Sequence, residues 1–485
     1  MTSPQQPPWE RKIYVGGWVD GAGDTADVAE PATGASLGKI GLASGADLEH
    51  AVSLAKSAQQ PWAAVDPEGR AGLLRRVGEA LTAMKEGVVG WLIREGGATH
   101  EKANFETDLA IRECYAAAAL ALHPTGEMIS TNGGDMSYSV RTPAGILGVI
   151  APFNAPLQLA IHSIAPAIAL GNAAILKPDP RAAVSGGMML AMAFEAAGAP
   201  RGILAVLPGG AELGEALVAH SGIDVVSFTG STKAGRSVGQ AAARHFAKAH
   251  LELGGNSALL VLPGVDIDWA AHMGARGSFF HQGQICMATG RHLVHRDVVD
   301  AYVERLAQIA ANLRIGDPTD PEVEIGPIID AHQRDRIHAL VLESLEQGAT
   351  LVTGGTYDEL FYRPTVLTNV GPQTSAYANE IFGPVAVVRS FASDEEAVAM
   401  ACDSEYGLTL GILTPDITRA LDIAERIPTG AVHINNQTIA DSPLAPMGGV
   451  QASGVGSHFG GTANLDAFTE TRWVTVQPAQ RRSVY

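Results

Sequence analysis

The chain has 485 residues, a formal net charge of −18 and a hydrophobic fraction of 46%. This length is sufficient for two or three domains with large cores. Charged residues at 17% and a total of 55 glycines are typical of a globular protein and argue against a disordered or fibrous one. The acidic balance leaves no basic surface to neutralise phosphate backbones, so we expect no nucleic-acid partner.

The N-terminal residues predict no secretory signal, because residues 1–12 are polar and proline-rich. The longest apolar run, residues 157–176, is interrupted by His162, Pro166 and Asn172. These interruptions predict a buried helix followed by a strand, rather than a membrane span. We therefore expect no membrane partner and a cytoplasmic location.

Helical and apolar segments alternate along the chain. The predicted helices lie at 47–64, 68–95, 184–197, 211–220, 268–280, 298–313 and 330–347. The predicted strands lie at 145–150, 173–177, 203–207, 225–228, 257–262, 385–391, 408–413 and 431–435. This alternation predicts an α/β fold with two Rossmann-like parallel-sheet domains, joined near residues 253–256. Residues 136–141 and 473–477 alternate between apolar and polar side chains and lie outside the two helix–strand series. They predict a small β flap for self-association, and the alternative is a pair of surface strands without a role in assembly.

Two predicted strand ends carry candidate ligand-binding groups. Ligands of open parallel sheets bind at the carboxyl ends of the strands. Gly230 and Ser231 lie in FTGSTKAG at a predicted strand-to-helix turn, where the helix start favours an anion. Lys177 ends the strand AAILK. Each feature alone also fits a capped turn or a solvated lysine, but together they favour a dinucleotide.

The chain has three cysteines, at positions 114, 286 and 402. Their odd number and wide spacing argue against a disulfide framework and against a metal site. Cys286 lies in HQGQICMATGRH, between residue types that favour a shaped turn. It is either a small buried hydrophobe or a nucleophile.

A nucleophilic thiol requires a base and groups that stabilise an oxyanion. Glu252, in LELGGN, is followed by two glycines that would let its carboxylate face a cleft. Asn154, in APFNAP, is held between two prolines and offers an amide donor. The alternatives are a surface glutamate and an asparagine that bonds its own backbone.

These stretches together resemble the aldehyde dehydrogenase superfamily over nearly the whole chain. The matching stretches, in the family's order, are APFNAP, LKPD, FTGSTKAG, LELGGN, GQICMATGR, EIFGPV and PMGGVQASGVG. KPDPR and SFFHQGQICMATGRHLVH are most similar to the bacterial benzaldehyde dehydrogenases. The resemblance implies an NAD-dependent oxidation of an aldehyde, expected to be aromatic, to its carboxylic acid.

The resemblance also implies roles for individual residues. Cys286 would form a thiohemiacetal and then a thioester, Asn154 and the Cys286 amide would hold the oxyanion, and Glu252 would activate water. The implied cofactor contacts are Ile150, Ala151, Pro152, Phe153, Lys177, Asp179, Gly210, Phe228, Gly230, Ser231, Leu253, Glu380 and Phe382.

The implied domains are a dinucleotide-binding domain at 1–124 and 144–252, and a catalytic domain at 253–440. An oligomerisation arm at 125–143 and 466–485 and a closing segment at 441–465 complete this division. A homodimer or homotetramer is expected.

Two departures from the family pattern bear on the cofactor and the proton relay. Many relatives have a glutamate three residues after the lysine, where this chain has Pro180. Asp179 could bind ribose hydroxyls and favour NAD, whereas Arg181 could accept the 2′-phosphate of NADP. Some relatives have a second glutamate that assists a proton relay, where this chain has Ser457, His458 and Phe459. The relay is therefore either absent or falls to His458, and we expect a surface histidine without a role.

The expected substrate pocket is apolar. Ala155 stands where many relatives have a bulky aromatic residue, and no arginine or lysine cluster lies near the motifs to bind a second carboxylate. The other expected wall residues are Phe279, Phe280, Met287 and Phe459. A semialdehyde substrate, a transfer of the acyl group to coenzyme A, a thiol hydrolase that pairs Cys286 with His281, and a non-catalytic scaffold remain the alternatives.

Overall fold

The computed structural model describes residues 7–130 and 135–477. Residues 1–6 of the N-terminal segment, and residues 131–134 and 478–485 of the predicted arm, lie outside this part of the chain. The strands in chain order are β1 (Lys12–Val15), β2 (Trp18–Asp20), β3 (Thr25–Ala29), β4 (Ser36–Gly41), β5 (Gly126–Met128), β6 (Met136–Pro143), β7 (Ile146–Ile150), β8 (Ala173–Lys177), β9 (Leu204–Val206), β10 (Val225–Thr229), β11 (Lys248–Glu252), β12 (Ser257–Val261), β13 (Thr289–His295), β14 (Thr350–Thr353), β15 (Tyr357–Asp358), β16 (Phe361–Tyr362), β17 (Thr365–Thr368), β18 (Val385–Phe391), β19 (Tyr406–Gly407), β20 (Thr409–Leu413), β21 (Ala431–Ile434), β22 (Val450–Gln451) and β23 (Thr469–Val476).

The α-helices are, in the same order, α1 (Gly45–Ala63), α2 (Pro67–Ala83), α3 (Lys85–Arg94), α4 (His100–Leu120), α5 (Pro156–Ala169), α6 (Met189–Ala196), α7 (Ala211–Ala219), α8 (Thr232–Ala243), α9 (Ile267–Phe279), α10 (Val299–Asn312), α11 (Ala331–Glu346), α12 (Ser375–Ala378), α13 (Asp394–Cys402), α14 (Ile417–Ala424) and α15 (Ala463–Phe468). A π-helical turn, Val184–Met188, precedes α6. Across the described residues, no helix is both long and apolar enough to cross a membrane.

The first large sheet has the strand order β11-β10-β7-β8-β9-β1-β2. Strands β11 to β9 are parallel, and β1 joins antiparallel to β9. Side chains of its central strands are buried on both faces, which explains why these strands are continuous apolar runs. Leu147 and Val149 of β7 pack into the core formed with α2, α4 and α5, whereas Ile146 packs into the core formed with α1, α7 and α8.

The second large sheet has the order β14-β17-β18-β13-β12-β20-β21 and is parallel except for β14. It is also covered on both faces. Leu259 and Val261 of β12 pack against α9 and α10, and Leu260 packs against α11, α13 and α14. The predicted α/β class with two parallel sheets is therefore confirmed.

The two predicted β arms pair with each other. Strand β23 runs antiparallel to β6, with Thr469 opposite Pro143 and Val476 opposite Met136, and β5 completes a three-stranded sheet. The sheet leaves Trp473 and Met128 71% and 72% exposed. It is thus separate from both large sheets and presents apolar side chains to solvent.

The prediction of one helix over 68–95 is wrong. Helix α2 ends at Ala83 and α3 begins at Lys85, with Met84 between them outside helical geometry. Met84 and its neighbours include no proline, so the sequence carries no local signal for this break.

Candidate active site

Cys286 lies on a turn that follows α9 and is held by side-chain hydrogen bonds. His281, Gln282 and Gly283 have φ values of 50°, 57° and 67°, so the backbone is left-handed over three consecutive residues. A backbone in this conformation is strained, and it is kept only where contacts with the rest of the protein hold it. The Gln282 amide donates to the carbonyls of Gly97 and Pro327, both at 2.8 Å, which ties the turn to the rest of the molecule.

The glycine pair after Glu252 allows a close approach to this turn. A Cβ at Gly255 would lie 2.4 Å from the carbonyl oxygen of Cys286, and one at Gly254 would lie 2.4 Å from Glu380 Oε2. Gly255 N–H also donates to Glu380 Oε1 at 3.0 Å. The backbone between the two large sheets therefore packs directly against the cysteine turn.

Cys286 and Asn154 each line two cavities. The first cavity lies at the carboxyl ends of β7, β8 and β10 of the first sheet. Its walls contain twelve of the thirteen predicted cofactor contacts, namely Ile150, Ala151, Pro152, Phe153, Lys177, Asp179, Phe228, Gly230, Ser231, Leu253, Glu380 and Phe382. The second cavity shares Cys286 and Asn154 with the first and has no other wall residue in common with it.

Gly210 is the predicted cofactor residue that does not line the first cavity. It is exposed and precedes α7 as the N-terminal cap residue. A Cβ at Gly214, one turn later in α7, would lie 3.5 Å from Ile150 and 3.6 Å from Lys177, but Gly214 does not line the cavity either. The role of Gly210 as a cofactor contact stays a prediction.

The start of α8 is capped by Ser231. Ser231 Oγ accepts a hydrogen bond from Ala234 N–H at 3.3 Å. The Thr232 hydroxyl instead donates to the Ala452 carbonyl at 3.0 Å. The helix start therefore faces the first cavity with its remaining N–H groups, which favours an anion there.

Three charged side chains line the cavity after β8. Lys177 is buried, and burial lowers the pKa of its ammonium group. Burial alone would raise the pKa of Asp179, but a two-bond ion pair with Arg181 holds that pKa below its usual value. Arg181 also donates to Asp330 at 2.6 Å and lies 4.3 Å above the Phe153 ring. Each nitrogen of its guanidinium therefore already donates to a carboxylate.

Glu380 and Phe382 face the cavity from the second sheet. Burial raises the pKa of Glu380 to about 7, against the effect of the Gly255 N–H group. Phe382 has a φ of 56° and packs edge-on against Phe153, with 5.9 Å between the rings. Two residues of α11 that the sequence analysis missed, Gln333 and Arg336, line the same cavity. Each resembles an ordinary surface residue of a helix, so no sequence signal singles it out.

Asn154 is buried and has an available amide. Among the described residues, none accepts a hydrogen bond from its side chain, which excludes the alternative of a bond to its own backbone. Since Asn154 lines both cavities beside Cys286, its amide is suitably placed to donate to an oxygen bonded near the sulfur.

Glu252 ends β11 and is 6% exposed. Burial raises the pKa of its carboxyl group to about 8, although the Gly449 N–H group favours the ionised form. No described side chain hydrogen-bonds its oxygens. Burial, Glu380 and Glu252 together raise the pKa of the Cys286 thiol to about 12. The thiol is therefore neutral at neutral pH until a base or a nearby positive charge acts on it.

The second cavity is mainly apolar. It is lined by three of the predicted pocket residues, Ala155, Phe280 and Met287, together with Phe105, Leu109, Leu159, Ile285 and Ile439. Phe105 and Phe280 meet edge to face with 6.5 Å between their rings. The shape and apolar walls suit a flat, uncharged ring.

Two predicted pocket residues lie elsewhere. Phe279 is buried in the core between α9 and α10, because α9 ends at this residue and only Phe280 leaves the helix. Phe459 stacks on His162 at 4.1 Å within the core of the first sheet. The predicted surface histidine, His458, is half-buried and stacks on His250 at 4.7 Å.

Four polar residues of the second cavity were missed by the sequence analysis, and they are Lys102, Glu106, Gln158 and Asp441. Lys102 is a single lysine rather than a cluster, and it is paired with Glu106. These residues come from α4, α5 and a loop near the C-terminus, so no short motif contains them.

The geometry does not provide a hydrolase pair. Within the described residues, neither ring nitrogen of His281 hydrogen-bonds to Cys286, and burial lowers the pKa of this imidazole well below its usual value. Nor do the described residues include a group of three His, Cys, Asp or Glu side chains that could hold a metal ion.

The aldehyde dehydrogenase family model matches residues 18–474. The chain is 55% identical to the vanillin dehydrogenase of an Amycolatopsis species and 46% identical to the benzaldehyde dehydrogenase (NAD+) of Pseudomonas putida, in each case over 97% of both chains. A crystal structure of betaine aldehyde dehydrogenase from Staphylococcus aureus in complex with NAD+ is similar at a TM-score of 0.94 and 28% identity, over 98% of this chain and 96% of that one. This chain belongs to the aldehyde dehydrogenase family, and the predicted resemblance is confirmed.

Proposed function

We propose that this protein oxidises aromatic aldehydes to carboxylic acids with NAD as the electron acceptor. The observation that carries the proposal is the position of Cys286 between a polar cavity at strand ends and an apolar cavity. The names of the Amycolatopsis and Pseudomonas putida relatives support an aromatic aldehyde and NAD.

The residues of the first cavity fit NAD. Lys177, at the end of β8, and Asp179, after it, line this cavity together with the start of α8. Glu380 and Phe382 line it together with Cys286. Bound there, NAD would accept a hydride. Arg181, which could otherwise hold a 2′-phosphate, already binds Asp179 and Asp330, and this supports NAD over the alternative NADP.

The protein's own groups account for the remaining steps. Cys286 Sγ bonds to the carbonyl carbon, and the oxygen, held by Asn154 and the Cys286 N–H group, receives the thiol proton. Loss of hydride from that carbon and of the proton from oxygen leaves a thioester. Glu252 then takes a proton from water, whose oxygen attacks the thioester carbon. The carbon–sulfur bond breaks and releases the acid, and the proton on Glu252 passes to the sulfur, which restores both the thiol and the carboxylate.

Further features extend the proposal. The first sheet, with residues 1–124 and 144–252, forms the dinucleotide-binding domain, and residues 253–440 form the catalytic domain. Residues 441–465 close the active site. Residues 125–143 and 466–485 form an arm that joins subunits as a dimer or tetramer. The cytoplasmic location expected from the N-terminal residues stays a prediction.

Initial rates with benzaldehyde, succinic semialdehyde and hexanal test the proposal, measured with NAD, with NADP and without coenzyme A. We expect benzaldehyde with NAD to give the highest kcat/KM, and free acid to form without coenzyme A. Cys286→Ala should abolish activity while the unfolding temperature is retained. A preference for the semialdehyde, or ester hydrolysis without cofactor, would contradict the proposal.

A further inference from the structure

One wall of the apolar cavity is built from buried polar groups. Lys102 and Glu106 form a buried ion pair. Glu106 Oε1 also accepts hydrogen bonds from the N–H groups of Leu157 at 2.9 Å and Gln158 at 3.2 Å, at the start of α5. This pair therefore holds the first turn of α5 in place and leaves no free charge to attract a ligand.

Gln158, on that turn, has an unsatisfied acceptor. The residue is 4% exposed, and no described group donates to its Oε1 atom. Burial raises the pKa of both Glu113 and Asp441, and a hydrogen bond from the side-chain amide of Gln158 acts against that shift in each. A hydrogen bond that lowers the pKa of a carboxyl group is donated to it, so the nitrogen side of the amide faces these two groups. The oxygen side is left without a donor.

An unsatisfied buried acceptor carries a free-energy cost that a donor of a ligand would remove. Gln158 and Asp441 line the same cavity as Cys286, so an aldehyde bonded at the sulfur lies beside them. This wall offers no free positive charge to a negatively charged ring substituent, because Lys102 is paired with Glu106, whereas a neutral hydroxyl can donate to the Gln158 amide oxygen.

We infer that Gln158 Oε1, assisted by Asp441, accepts a hydrogen bond from a ring hydroxyl, so that hydroxylated aromatic aldehydes are the preferred substrates of this site. This inference rests on the proposed oxidation of aromatic aldehydes. It identifies Gln158 as a specificity-determining residue, whereas the apolar walls recognise the ring alone.

Matched substrate pairs test this assignment. A methyl group has nearly the size of a hydroxyl but cannot donate, so kcat/KM is measured for 3-hydroxy- and 3-methylbenzaldehyde and for the two 4-substituted analogues. In Gln158→Met, we expect the hydroxyl-to-methyl ratio to fall about tenfold for at least one pair, equivalent to about 1.4 kcal/mol. Using the change in ratio cancels the intrinsic reactivity of each aldehyde.

Leu159→Met is the matched control, because Leu159 lines the same cavity without a polar group. It should alter both members of a pair by the same factor. Unchanged ratios in Gln158→Met for both pairs would overturn the inference while leaving the oxidation intact. An absence of oxidation of all four aldehydes by the native protein would instead refute the proposed function.

A second measurement needs no variant and covers the case in which Gln158→Met fails to fold. The hydroxybenzoates and the corresponding methylbenzoates are compared as inhibitors of benzaldehyde oxidation by the native enzyme. We expect a hydroxybenzoate to have an inhibition constant about tenfold lower than that of its methyl analogue. Equal constants for both pairs would contradict the role of Gln158.

Discussion

Glu252 is a buried carboxyl group whose ionisation falls within the working pH range. Its pKa is raised to about 8 by burial, so the carboxylate needed to activate water forms as the pH rises through that value. We expect the rate of thioester hydrolysis to decrease about tenfold per pH unit below 8. Single-turnover acid release, measured from pH 6 to 9, checks this dependence.

Glu252→Gln is the control for that profile, since glutamine has the same shape but cannot take the proton. Its hydrolysis should be at least a hundredfold slower and should lose the dependence near pH 8. The neutral form of Glu252 favours the folded state, so its contribution is complete below about 4.5 and is lost as the pH rises through 8. Relative to the native protein, the variant's Tm should therefore increase over this interval. A parallel pH profile would contradict this role.

Gly255 lies so close to the cysteine turn that only a hydrogen atom fits in place of a side chain. An added methyl group would lie 2.4 Å from the Cys286 carbonyl oxygen, and the cysteine turn would have to move. We expect Gly255→Ala to reduce kcat/KM by about a hundredfold, as misplacement of a reacting group by about 1 Å does.

Gly87→Ala provides the comparison for this prediction. Gly87 is exposed in α3, and an added Cβ would meet no atom within 4 Å. Alanine should raise the free energy of unfolding by about 0.5–1 kcal/mol without changing kcat/KM. Equal activity of the two variants would show that the close packing at residue 255 is not required.

Short motifs singled out Cys286, Glu252 and Asn154, because each motif combines a reactive side chain with the glycines or prolines that shape its backbone. Cys286 and Asn154 line both cavities, whereas Glu252 is buried and lines neither, and the catalytic roles of all three stay predictions. The sequence could not distinguish Phe279 from Phe280. These neighbours differ only in that the first ends a helix inside the core and the second leaves it. Gln158 was also missed, since its partners come from remote segments.

Helix α11 connects the two large sheets through its first turn. Asp330 caps the helix by accepting from Gln333 N–H at 2.7 Å, and its other oxygen accepts from Arg181. Asparagine would keep the cap and weaken the hold on the guanidinium. We expect Asp330→Asn to raise the ratio of kcat/KM for NADP to that for NAD several-fold, measured with benzaldehyde.

Asp335→Asn is the corresponding control on the same helix. Asp335 pairs with Arg334 on the exposed surface, so its neutralisation should leave the cofactor ratio unchanged. If the ratio is also unchanged in Asp330→Asn, Arg181 does not determine the preference for NAD over NADP.

The strands that were predicted best are those buried on both faces of a sheet. The runs at 173–177 and 385–391 match β8 and β18 residue for residue, because most side chains of strands covered on both faces are apolar. The break between α2 and α3 was not predictable, since it depends on how each helix packs. The order of strands within a sheet likewise depends on contacts that are remote in sequence.

The whole molecule exposes apolar side chains on the sheet of β5, β6 and β23, including Trp473 and Met128. Exposed apolar patches of this kind mark contact surfaces. We expect Trp473→Asp to shift the protein to a smaller assembly, as measured by light scattering after size-exclusion chromatography. Phe246→Asp is the control, because Phe246 is 94% exposed but lies outside this sheet. Identical masses for both variants and the native protein would contradict an arm-mediated oligomer.

The placement of one sulfur atom at the junction of two separate cavities also has a kinetic consequence. With NAD in the polar cavity and the aldehyde in the apolar cavity, as proposed, a molecule that occupies one cavity leaves the other open. A carboxylic acid product should therefore compete with the aldehyde and not with the nucleotide. The acid can also depart while the reduced nucleotide is still bound, and the two release events need share no route.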